Sequence, residues 1–213
     1  MDIIRNIEEI LGQEVNDEQL EQYLSDVRGS LEGSTKQFIA YQFLLLFLLL
    51  IYHLIVHEGW SIAVSKIEVK DVLLFDKVFL IIPAAVFIMM ASTGYLRFLQ
   101  REVYDYLSIS RYRVLGETGV HELRLPSSYV EGLFVLNNEG GFIGKIVSKI
   151  VSIILVIVFF FLPSIYLLLQ VFNNYIQFGA TDYVNIFVSV LVVLSVVCGE
   201  TIMLLSGPKK TKS

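Results

Sequence analysis

Charged residues are scarce in this chain: they make up 17% of its 213 residues, where soluble domains carry about 25%. Water is therefore a poor solvent for most of its surface. Cysteine is nearly absent. Cys198 stands alone, which excludes an intrachain disulfide framework and leaves the redox compartment unread. Catalytic, metal and nucleotide motifs are missing too. Nucleophiles, acids and histidines do not cluster at a spacing that chemistry could use. The expectation is a chain that is not an enzyme and takes no cofactor or metal.

What is present is apolar: 55% of the residues are hydrophobic. Four stretches, at about 38–57, 78–98, 147–171 and 184–206, each approach the ~20 apolar residues that a helix needs to cross a bilayer core about 30 Å thick. The predicted fold class is an all-α membrane protein with four transmembrane helices. The first 36 residues are polar and acidic rather than a basic n-region running into a short apolar core, so no cleavable signal peptide is expected and the first span is read as a retained anchor. The organisation that follows is an acidic amphipathic segment (1–36), a first transmembrane hairpin (37–98), a middle loop (99–145), a second hairpin (146–206) and a basic tail (207–213).

Lys and Arg set the expected orientation. Thirteen lie in the N-terminal segment, the middle loop with its flanks, and the tail, whereas only Lys66, Lys70 and Lys77 lie on the other side, all in the first loop. Both termini and the middle loop are therefore predicted to be cytoplasmic, in a multi-pass protein of the inner membrane. Tyr52, Trp60, Tyr175 and Tyr183 fall near the outer interface, and Tyr41, Tyr95 and Tyr104 near the inner one, as aromatic belts do.

Ahead of the first span, Ile3, Ile4, Ile7, Ile10 and Leu11 recur at helical spacing until Gly12. A second helix is predicted from Asn16, whose side chain can cap with Gln19 as the box partner, Val15 and Leu20 being the staple pair. Leu20, Leu24, Val27 and Leu31 then form one apolar stripe. Residues 1–32 hold nine Asp or Glu against two Arg, a poor match for the negative inner leaflet. Two occupants for the stripe follow. One is this chain or a second copy of it, since an apolar helix face is most often buried locally. The other is a cytoplasmic protein partner bound through Ile7, Leu20, Leu24, Val27 and Leu31.

The second span is expected to continue as a helix through LRFLQREVYDYL. Beyond it, 121–125 and 129–136 read as short β-like runs with turn residues around them, and Gly140, Gly141 and Gly144 as a hinge into the third span. Arg97, Arg101, Arg111, Arg113 and Arg124 could meet the acidic N-terminus, lipid phosphates or nucleic acid. Their dispersion and the lack of a stacking signature favour the ordinary positive-inside bias, and direct nucleic-acid binding is not expected.

Inside the spans Glu200 is the most informative residue, because an acid in a bilayer is costly and calls for a partner. Arg97 and Lys149, at similar depth, are the candidates. A structural clamp is favoured over a proton or ion relay, which needs a chain of such groups. His53 and His57 share a helical face beside Glu58, yet a metal site needs three or more ligands, so interfacial polar residues are the preferred reading. Ala84, Ala85, Ala91, Ser92 and Gly94 mark the second span as central, and Ser195 with Gly199 gives the fourth a small-xxx-small pair, suited to packing within or between subunits. Pro83, near the start of its span, should disturb it little. Pro163 should kink the third helix, with Phe159, Phe160 and Phe161 turned to lipid or to a subunit seam. The spans show no continuous polar stripe, which weakens transporter and pore readings.

Four spans, the acidic amphipathic N-terminus IIRNIEEILGQEVNDEQLEQYL and an inner loop of about 45 residues resemble small membrane subunits of bacterial anti-phage systems, the Kiwa system in particular. The resemblance covers topology and no motif. It implies a membrane scaffold that detects envelope disturbance and works with a cytoplasmic effector. The functional expectation is a non-catalytic scaffold or sensor that forms a homo-oligomer in the lipid bilayer and docks a cytoplasmic protein. The rival is a gated channel or permeabilising effector with Glu200 in its vestibule.

Overall fold

The computed structural model describes residues 17–56, 72–111, 141–179 and 181–205. Every element among them is helical: α1 (Asp17–Val56), α2 (Val72–Phe79), α3 (Ile81–Arg111), α4 (Gly141–Val156), a π-helical segment (Ile157–Phe161), α5 (Leu162–Phe178) and α6 (Tyr183–Leu205). Four helical stretches are long and apolar enough to cross a membrane: Glu21–Val56, Phe75–Leu107, Phe142–Phe178 and Tyr183–Leu205. The described residues are therefore all-helical in architecture, and the chain is a multi-pass membrane protein. Ile7 and the β-like runs of 121–136 lie outside the described residues.

The expected amphipathic helix and first span are one continuous helix of 40 residues. At 1.5 Å per residue it is about 60 Å long, twice the thickness of a bilayer core. α3 likewise runs through LRFLQREVYDYL to Arg111. The surplus turns of the two helices lie side by side and form a stalk. Leu24 packs with Tyr104 and Leu107, and Val27, Val103 and Tyr106 close around them. Leu31 is buried as well. Burying each such leucine is worth about 1.5–3 kcal/mol in water. Nearer the bundle the Gln100 amide bridges two serines of α1: its nitrogen donates to Ser30 Oγ and its oxygen accepts from Ser34 Oγ, both at 2.6 Å. Of the Leu20, Leu24, Val27 and Leu31 stripe, Leu24 and Val27 are thus covered by the chain's own α3.

α3 is the central helix, packed on α1 along one side and on α6 along the other, and α5 packs on α6. One core runs through all four spans, with Leu45, Tyr52, Phe87, Met90, Leu167 and Val192 fully buried. Two prolines shape it. Pro83 has no N–H, and its ring crowds the carbonyl four residues back. The helix breaks at Leu80, between α2 and α3, and resumes with Ala84 N–H bonded to Leu80 O at 3.2 Å. Pro83 is thus the third residue of α3, and the interruption is confined to Leu80. Pro163 is accommodated by the π segment, whose wider turn places Leu162 N–H on Ile157 O and lets the helix continue through α5. The extra residue rotates the phenylalanines. Phe159 is buried and Phe160 packs on the core, 6.0 Å ring to ring from Phe38, while Phe161 alone of the three stays half exposed.

Candidate functional site: two polar sites in an apolar bundle

The two ends of the bundle differ in chemistry. At the end carrying the α5–α6 turn, polar side chains from all four spans meet below the surface. Tyr52 of α1 is fully buried and its hydroxyl donates to Asp76 of α2, itself only 3% exposed. On α5, Tyr166, Gln170 and Asn174 recur every fourth residue and so share a face. Asn174 Nδ2 donates to the Asp76 carbonyl at 3.2 Å. Asn185 of α6 in turn donates to the Asn174 carbonyl at 3.1 Å. Tyr166 packs edge-on against Tyr52, and its hydroxyl lies 3.1 Å from His53 Nδ1.

The turn itself is tied to this network. Gly179 closes α5 with a φ of 75°, a backbone conformation that a Cβ disfavours, and its N–H bonds to Tyr175 O at 3.0 Å. Asp182 then caps α6. One carboxylate oxygen accepts the Asn185 N–H at 3.0 Å, and the other accepts from Lys77 of α2. The Lys77 ammonium and this backbone N–H hold the Asp182 carboxyl below the usual aspartate range. Lys77 also sits 4.3 Å from the centre of the Phe178 ring, a cation–π contact.

Towards the stalk end, Glu200 of α6 is half-buried and accepts a hydrogen bond from Ser164 Oγ, on the turn after Pro163, at 2.5 Å. It lines a cavity of about 330 Å³ with Phe38, Ala91, Gly94, Arg97, Phe160, Met203 and others. The Arg97 guanidinium lies over the Phe38 ring, 5.4 Å from its centre. Of the two cations expected near Glu200, Arg97 shares this cavity, whereas Lys149 is exposed on α4 and is not among the lining residues.

The small residues predicted for helix packing are used inside the chain. Ala84 and Ala91 are buried in the core region of α3. A Cβ on Gly94 would meet the Phe38 ring at 2.9 Å, and one on Gly199 would overlap the Phe87 ring. Ser195 is half-buried and returns its hydroxyl to Leu191 O at 2.7 Å. Leu24, Val27 and Leu31 face the stalk interior as described, and Leu20 lies on the first turn of α1.

Sequence reasoning missed the turn-end network. Its signal was there: an Asp, two Asn and a Gln at 76, 174, 185 and 170 within or beside apolar runs. Tyr52, expected near the outer interface, gives its hydroxyl to the Asp76 carboxylate in place of water. Chemically the network is a lock. Its side-chain donors meet carboxylates and backbone carbonyls of neighbouring helices, and such bonds hold registers where few other polar partners exist. Among the described residues no three His, Cys, Asp or Glu gather at metal-binding distance. No family model, no curated protein and no solved structure matches the chain.

Proposed function

We propose that this chain is a non-catalytic scaffold and sensor subunit of the inner membrane, with both termini and the middle loop in the cytoplasm, that forms a homo-oligomer and docks a cytoplasmic protein. The observation that carries this reading is the stalk. Helices α1 and α3 extend beyond the length a bilayer requires and stay zipped together there by Leu24, Tyr104 and Leu107. A rigid two-helix projection on the side that holds thirteen of the sixteen Lys and Arg is a means of presenting a surface to a cytoplasmic protein. The resemblance of the topology to membrane subunits of anti-phage systems supports envelope disturbance as the trigger.

The docking surface follows from what the stalk leaves outward. Leu24 is taken by α3 and Leu31 is buried, while Tyr23 is 52% exposed beside exposed Glu21 and Asp26. A partner with a basic, aromatic-accepting face fits that surface, and the acidic segment ahead of it adds to the attraction. The test is purification of the tagged full-length chain in mild detergent, with identification and sizing of whatever accompanies it. A stoichiometric cytoplasmic protein lost on Tyr23→Asp or Asp26→Lys, with the bundle still folded, supports the scaffold. A lone chain or lone homo-oligomer under all conditions rejects it.

A gated channel is the second reading, and the cavity lined by Glu200 and Arg97 is the observation in its favour. It requires ion flux in liposomes holding the purified protein, altered by Glu200→Gln.

A further inference from the structure

We propose that the cavity beside Glu200 and Arg97 is a binding site for a zwitterionic phospholipid with a primary ammonium, phosphatidylethanolamine, taken from the bilayer. The argument starts from depth. Phe38 opens the apolar run of α1, directly after Ser34, Thr35, Lys36 and Gln37. The cavity wall that includes Phe38, with Arg97 over its ring, therefore stands where apolar chain gives way to polar chain. In a bilayer that level is the boundary between acyl chains and headgroups. The wall also includes Phe161, half exposed, and Leu204, 80% exposed. Exposed apolar rim residues put the mouth on the lipid-facing outside of the bundle.

Charge then selects the ligand. The same cavity holds one guanidinium and one carboxylate among apolar walls. An anionic lipid, its phosphate on Arg97, would leave the Glu200 carboxylate without a counter-charge, and a cationic amphiphile on Glu200 would leave Arg97 without one. A charge left uncompensated in this way is a strong discriminator where water is scarce. A headgroup carrying both signs meets both residues. The guanidinium suits a phosphate, which it can bind through two N–H groups at once. The ammonium of ethanolamine has three N–H donors for the Glu200 carboxylate, whose Oε1 is held in place by Ser164. Choline has no N–H to donate. An aromatic face is the alternative seat for choline, and here Arg97 already covers Phe38. Phe160 and Met203 supply an apolar wall for the first carbons of an acyl chain. The scaffold reading needs no ligand at this point, so the two stand or fall separately.

The experiment is native mass spectrometry of the full-length chain in mild detergent, offered phosphatidylethanolamine, phosphatidylglycerol and phosphatidylcholine of the same acyl composition in equal amounts. The expected result is one phosphatidylethanolamine per chain, retained about tenfold over the other two. Arg97→Gln and Glu200→Gln should each abolish that preference, and Arg97→Lys should keep it. Circular dichroism checks that each variant is folded. Leu204→Trp, which narrows the mouth without touching either charge, should lower retention on its own. Equal retention of all three lipids, insensitive to these substitutions, would identify ordinary annular lipid and overturn the proposal. A preference for phosphatidylglycerol would overturn it as well, and so would binding of soluble O-phosphoethanolamine with no lipid preference.

Discussion

Gly199 on α6 leaves the volume that the ring of Phe87 on α3 occupies. A Cβ added there would overlap ring atoms Cε1 and Cδ1, and Phe87 is fully buried, so its ring has nowhere to swing. Gly199→Ala should therefore destabilise the bundle by about 1–3 kcal/mol through overpacking, although alanine is the better helix former by about 1 kcal/mol. Thermal unfolding in detergent, followed by circular dichroism, measures the difference. Phe87→Leu in the same chain should recover part of the loss by making room. An unchanged or raised midpoint in Gly199→Ala would mean that the two helices do not approach as closely as described.

Tyr52 and Asp76 make a similar case for polar contacts. Removing the hydroxyl in Tyr52→Phe keeps the ring stacked on Phe79, 6.0 Å away, and deletes only the donor to Asp76. A buried acceptor left without its partner costs about 1–3 kcal/mol. The variant should unfold at lower temperature, and Tyr52→Phe combined with Asp76→Asn should cost less than the sum of the two single changes. Strict additivity in that double-mutant cycle would argue that the pair does not interact.

The Lys77–Asp182 contact gives acid sensitivity to the turn end. With the Asp182 carboxyl held below its ordinary value by Lys77 and the α6 N-terminus, folding favours its ionised form. The contribution is present above the unfolded carboxyl's value, about 3.9, and is lost as pH falls from there through the lower folded value. The wild type should lose stability over that acid range, and Asp182→Asn should flatten this part of the profile while lowering stability at neutral pH. The readout is the unfolding midpoint at a series of pH values. A profile identical in the two proteins would remove Asp182 from the account.

The four spans were legible in the sequence because apolar length alone identifies them. The small residues of α3 were legible for the same kind of reason, since backbones can approach only where side chains are short. Helix registers were not. Whether Asn174 meets Asp76, 98 positions away in the chain, depends on how α2 and α5 are set against each other, and nothing local to either helix encodes that. The short helix ahead of Pro83 was not legible either, because Val72 to Phe79 includes Asp76 and Lys77 and those charges blur where the apolar run begins. The inward turn of Phe159 and Phe160 depends on one extra residue in a π turn, which composition does not reveal. Composition points to Glu200 as a residue needing a neighbour and suggests a cation, whereas the donor the fold supplies is Ser164, one residue after Pro163.

The stalk gives the last prediction, and it separates packing from docking. Leu24 is 8% exposed and sits against Tyr104 and Leu107, so Leu24→Ala removes buried methyl groups and should cost about 2–5 kcal/mol locally. Because the core around Leu45, Phe87 and Val192 is a separate cluster, the spans should stay folded while the stalk opens. Hydrogen exchange should then rise sharply in α1 around Leu24 and in α3 beyond Gln100, and stay unchanged near Tyr52. Tyr23→Asp, one residue away on the exposed face, should leave exchange in both helices as it was. If Leu24→Ala and Tyr23→Asp protect or expose the stalk alike, then α1 and α3 are not zipped through that leucine, and the rigid projection on which the scaffold reading depends is gone.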